Sequence, residues 1–125
     1  MKLVDTSSWI EFLRGHENET ASRVQELIRQ DQAAWCELIA VELWNGVRPG
    51  PETKALGELE KAVSTFPLSG EVWQKARRLA LRCRETGLTV PANDVIIAAC
   101  ALVHRLDIEC VDAHFAKIRP VAAKL

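Results

Sequence analysis

Short apolar runs alternate with longer stretches of helical periodicity along this chain, and several runs end at an acid. Lys2-Leu3-Val4 suits a strand and leads into Asp5. Thr6-Ser7-Ser8 then offer the side-chain oxygens that cap helix starts, and Trp9, Phe12 and Leu13 follow at helical spacing. After Gly15, residues 18–32 read as a helix with Val24, Leu27 and Ile28 on one face. Ala33-Ala34-Trp35-Cys36 has strand length, and Glu37–Val47 is helical again. Arg48-Pro49-Gly50-Pro51 is the strongest break, placed between two helices rather than two domains. Residues 52–64 predict a helix weakened by Gly57, followed by an extended link at 66–68. Residues 69–86 form the clearest amphipathic helix, with Val72, Ala76, Leu79, Ala80 and Cys83 repeating at helical intervals and Gly87 as C-cap. Leu88-Thr89-Val90 is extended. Residues 94–105 are apolar on nearly every side, as a buried central helix is. Ile108-Glu109-Cys110-Val111 predicts a strand ending at Asp112, and Val121-Ala122-Ala123 an edge strand.

Strands alternating with helices predict an α/β domain, a central mostly parallel sheet covered by helices on both faces. The 125 residues make one domain, 1–125. No apolar run reaches membrane-spanning length and no signal-peptide pattern opens the chain, so the expectation is a cytoplasmic protein. A net charge of −1 argues against coating nucleic acid by bulk positive charge, but not against a nuclease with its acids in one pocket. Cys36, Cys83, Cys100 and Cys110 lack metal-type spacing and read as buried free thiols.

Four acids stand out. Asp5 and Asp112 end strands, Glu42 lies within an apolar helix, and Asp94 opens the most buried helix. Each has a plainer reading: Asp5 and Asp94 as helix caps (with Asn93 an alternative cap), Glu42 as an exposed position. Open α/β sheets gather their ligands at the carboxyl ends of strands, where two strand ends and two helices can converge. Carboxylates crowded there need a counter-charge, and oxygen-only donors suit Mg²⁺ or Mn²⁺. Phosphodiester hydrolysis is the chemistry such a site serves, with a metal-activated water as nucleophile. Asp5 and Asp94 are expected to bind the ion most directly, with Glu42 and Asp112 close by or acting through water.

The segments LVDTSSWIEFL at 3–13, ELWNGVR at 42–48, GLTVPANDVIIAACA at 87–101 and CVDAHF at 110–115 resemble, in order and spacing, the PIN-domain ribonucleases, and within them the VapC-type toxins of toxin–antitoxin pairs. The resemblance implies a three-layer PIN sandwich, a divalent metal, RNA cleavage, a homodimer and an antitoxin partner. It carries the family's acids to Asp5, Glu42, Asp94 and Asp112. Two departures stand beside the fourth acid: Cys110 where many relatives have Thr or Ser, and His114 where some have a further acid. Arg14, Arg48, Lys117 and Arg119 are candidate phosphate contacts at the rim, and the 69–86 helix carries Lys75, Arg77, Arg78, Arg82 and Arg84 around its apolar stripe. Trp9 and Trp44 lie near the proposed site elements, as core, partner or base contacts. The competing readings are a PIN-like binding module without nuclease activity and another metal-dependent phosphoryl-transfer hydrolase.

Overall fold

Four short parallel strands carry the architecture. The computed structural model of the chain describes residues 1–111, the backbone of 113 and 114, and residues 115–125. Along the chain run β1 (Lys2–Val4), α1 (Thr6–Leu13), α2 (Glu19–Arg29), β2 (Ala33–Trp35), α3 (Glu37–Gly46), α4 (Pro51–Ala62), β3 (Ser64–Thr65), α5 (Gly70–Glu85), α6 (Ala92–His104), β4 (Asp107–Glu109) and α7 (Ala113–Ala122). The sheet order is β3-β2-β1-β4, every pair parallel, with Leu3 opposite both Ala34 and Ile108. The chain thus moves outward from β1 through β2 to β3, then returns to the other side of β1 with β4. That reversal puts the topological switch point between β1 and β4, outside whose carboxyl ends such sheets bind ligands.

The two inner strands, β1 and β2, are covered on both faces, so Leu3, Val4, Ala33, Ala34 and Trp35 are apolar without alternation and all buried. Trp9 from α1 meets the Trp35 ring edge-on, centroids 5.7 Å apart, and joins α1 to the sheet. The second wall is α6, whose Val95, Ile97, Ala98, Ala99, Cys100 and Ala101 are buried against the sheet and α5.

Helix ends follow local chemistry. The Asn18 side chain caps α2 through the Ala21 amide at 2.8 Å, and Ser69 caps α5 through Val72. Gly87, at φ +76°, closes α5: its amide bonds the Arg84 carbonyl and the Leu88 amide the Cys83 carbonyl. The end of α6 has the same bonding pattern with Arg105 in the left-handed position, at φ +56°.

The elements differ from expectation in four places. The final edge strand at 121–123 is instead the end of α7; Phe115 and Ile118, three apart, are the buried positions of an amphipathic helix. Ser64–Thr65 form a two-residue strand, where the sequence predicts the tail of a helix. The strand expected at 108–111 occupies 107–109 and stops before Cys110. The buried helix starts at Ala92, two residues early, with Pro91 at its N-cap, so Asn93 is not the cap. Of the four thiols, all free, Cys110 is partly exposed rather than buried.

Candidate functional site

Asp5 follows directly on β1 and is only 5% exposed. Its amide bonds the Glu109 carbonyl at 2.9 Å, so the ends of β1 and β4 are tied together at the switch point. It occupies the N-cap position of α1 without a side-chain capping hydrogen bond. Its Oδ2 instead accepts from the Ser7 hydroxyl at 2.9 Å. Burial pushes the Asp5 carboxyl above the usual carboxylate range, and the negative charge of Asp94 adds to the rise. The Ser7 hydroxyl and the Thr6 and Ser7 amides pull the other way and do not cancel it.

Asp94 lies in the first turn of α6, half-buried, close enough for its charge to be felt at Asp5. Glu42 is half-buried on α3 and held from two sides. Thr6 Oγ1 donates to its Oε1 at 2.9 Å, and Asn93 Nδ2 to its Oε2 at 3.4 Å. These two bonds connect α3 with the start of α1 and the start of α6, which carries Asp94. The three described acids are therefore held at the starts of α1 and α6 and on the α3 segment bonded to both. Asp112, the fourth, lies outside the described residues, as does the side chain of His114. The polar partners Thr6, Ser7 and Asn93 were not legible as such; their residue types signalled helix caps, and the same hydroxyls and amide serve the carboxylates instead.

The donor set is oxygen throughout, the chemistry of a hard divalent cation. Asp5 is a buried carboxylate beside a second acid and, among the described residues, has no Lys, Arg or His partner. A cation relieves that electrostatic setting, so these residues fit one. Among the described residues no three acid, His or Cys side chains are grouped as an ion cage. Asp5 stands under the charge of Asp94, while Glu42 is engaged by Thr6 and Asn93.

Of the expected rim cations, Arg14 lines a narrow crevice with Glu42 between α1 and α3. Arg48 faces Glu52 across 3.9 Å. Arg119 lines a separate 510 Å³ cleft between α6, β4 and α7, and Lys117 is exposed on α7. Trp9 is fully buried core and touches no solvent. Trp44 is partly exposed and donates to Glu60 of α4. On the far side of β4, the Glu109 side chain is buried and paired with Arg23 of α2 at 3.0 Å. No described helix is long and apolar enough to cross a membrane.

The family model of the PIN domain matches residues 2–119. Ribonuclease VapC11 of Mycobacterium tuberculosis is 31% identical over 119 residues, covering 92% of this chain and 89% of its own length. The VapBC2 structure from Rickettsia felis, bound to a DNA fragment from its promoter, superposes with a TM-score of 0.78 over 93% of this chain and 90% of that one, at 16% identity. VapBC-5 of Mycobacterium tuberculosis, described as a member of the VapBC family of toxin–antitoxin systems, gives 0.69 over 94% and 89% at 23% identity. Most of the chain is thus matched in sequence and in fold, and the chain belongs to the PIN-domain family, beside the VapC ribonucleases.

Proposed function

We propose that this chain is an endoribonuclease dependent on Mg²⁺ or Mn²⁺ and the toxin of a toxin–antitoxin pair, acting in the cytoplasm as a homodimer. The observation that carries the proposal is the buried Asp5 carboxylate at the β1–β4 switch point, under the charge of Asp94. In this reading Asp5 and Asp94 hold the ion, with Glu42 and Asp112 around it. When bound, the divalent cation supplies nucleophile activation and relief of the charge developing on the phosphate. The protein's own part is preorganisation. Ser7 fixes one oxygen of Asp5, and Thr6 and Asn93 fix Glu42, so the acids need little rearrangement when substrate arrives. The short β1–α1 junction, tied to β4 through the Asp5 amide, keeps the first acid from moving.

The partner in this reading is an antitoxin, supported by the fold shared with VapBC-5, a member of a family of toxin–antitoxin systems; an antitoxin segment covering the acids with an Arg fork would offset their charge. Incubate antitoxin-free protein with total cellular RNA, with and without EDTA, and sequence the new ends. Cleavage at a few sites that needs Mg²⁺ or Mn²⁺ is expected. Persistence of cleavage in EDTA rejects the metal mechanism. No cleavage by the fresh protein favours a PIN-like binding module.

A further inference from the structure

We infer that the exposed face of α5 is the RNA-binding track of this protein, leading the strand toward Asp94; the inference rests on the ribonuclease reading above. The helix carries five basic residues against two acids, in a chain whose net charge is −1. On a helical wheel Trp73, Arg77, Ala80 and Arg84 fall on one stripe, with Arg78 and Leu81 beside it. All six are exposed, Trp73 by 42% and Leu81 by 58%. Val72, Ala76, Leu79 and Cys83 take the buried side, so the stripe is not needed for packing.

Its arginines are uncommitted. Arg23, Arg29, Arg48 and Arg82 each have a carboxylate within 4 Å, whereas Arg77, Arg78 and Arg84 have none among the described residues. Unpaired guanidinium groups ranked along one helix beside an exposed indole match a single strand: phosphates for the arginines, a base face for Trp73. Trp73 to Arg84 spans roughly 16 Å at the rise of an α-helix.

Position links this face to the acids. The C-terminal end of α5 connects through six residues to α6, and a 390 Å³ groove there is lined by Arg84, Gly87, Thr89 and Ala92. Ala92 is two residues from Asp94, in the same first turn of α6. A strand lying along α5 and over Arg84 is therefore delivered to the start of α6. Low net charge with one concentrated basic face also gives selective rather than indiscriminate RNA binding.

The test measures binding in EDTA, where no cleavage interferes, using a fluorescein-labelled mixed-sequence single-stranded RNA of about 20 nucleotides, long enough to run the roughly 16 Å stripe. Compare wild type, Arg77→Ala/Arg84→Ala, Trp73→Ala, and the control Lys54→Ala/Lys61→Ala on α4, each checked for folding by circular dichroism. The arginine pair is expected to weaken binding at least about tenfold at low salt and to flatten the log–log salt dependence by roughly 1.4, at about 0.7 per lost phosphate contact on a single strand. Trp73→Ala is expected to weaken binding about tenfold and to abolish the quenching of tryptophan fluorescence by RNA, as loss of a stacked base would. The control should stay within twofold. Equal affinity for wild type and the arginine pair overturns the inference, as does an equal loss in the control, which would mean bulk charge alone. A change of oligomeric state in Trp73→Ala with RNA affinity intact makes the face a protein interface and also overturns it. A wild type that binds RNA through these residues but never cuts it refutes the ribonuclease reading and leaves this one standing.

Discussion

Replacing Arg23 by Met should destabilise the fold and loosen Asp5 with it. Glu109 is 7% exposed and its Oε1 accepts from Arg23 Nε at 3.0 Å, an ion pair that joins α2 to the end of β4 across 86 residues of chain. The carbonyl of the same Glu109 holds the Asp5 amide. Were both groups buried, breaking the pair would cost about 3–5 kcal/mol, and were both exposed about 0.2–1. Arg23 is 47% exposed while Glu109 is not, so solvent screens one partner only, and about 2 kcal/mol is expected, chiefly from a buried carboxylate left without its donor. Methionine keeps much of the aliphatic stem, so lost packing contributes little. For a chain of this size that loss corresponds to a fall in the urea midpoint of roughly 1 M. The assay is urea unfolding of wild type, Arg23→Met, Glu109→Gln and the double variant. A coupling energy of about 1 kcal/mol or more is predicted for this contacting pair. An Arg23→Met midpoint indistinguishable from wild type would refute the reasoning, because it would mean that water already solvates Glu109.

Further outcomes follow from the same structure. Burial and Asp94 raise the Asp5 carboxyl, so its ionised form opposes folding, and protonating Asp5 should add stability to the metal-free protein as pH falls through its folded pKa toward 3.8, against the opposite trend of Glu11, whose carboxyl is held low by His16 and Asn18. That gain should be smaller in Asp94→Asn and absent from Asp5→Asn, as read from urea midpoints across this range. Asp94→Asn should also reduce RNA cleavage by orders of magnitude, and circular dichroism of the same sample separates that functional loss from misfolding. Arg105 sits exposed at φ +56°, so Arg105→Gly should stabilise the fold by about 0.5–1 kcal/mol, visible as a raised melting temperature. Thr6→Val, which removes the donor to Glu42 Oε1 and with it one hydrogen bond of about 1 kcal/mol, should lower cleavage about fivefold and the melting temperature by roughly 4 °C.

Strong periodicity made most of the fold legible. The α5 pattern, the all-apolar α6 and the run into Asp5 each had one physical solution. The C-terminal stretch did not: Val121-Ala122-Ala123 is a β-compatible triplet, and only the burial of Phe115 and Ile118 one turn earlier makes it a helix end. Ser64–Thr65 is two residues long, too short to carry any period, and owes its strand conformation to pairing with Trp35 and Ala34. At the site, the acids were visible as charged residues where an apolar pattern should continue. Their partners were not, because Thr6, Ser7 and Asn93 look like caps until α1, α3 and α6 are brought together. The Arg23–Glu109 pair was invisible for the same reason, since it joins α2 to the end of β4 across 86 residues and nothing local signals it.

The central claim is that Asp5 and Asp94 together hold a divalent cation, and isothermal calorimetry with Mn²⁺ tests it most directly. Wild type and Asp5→Asn/Asp94→Asn are titrated side by side, the variant first shown to be folded. Saturable heat in wild type and none in the variant is predicted. Equal binding by the two proteins would contradict the account.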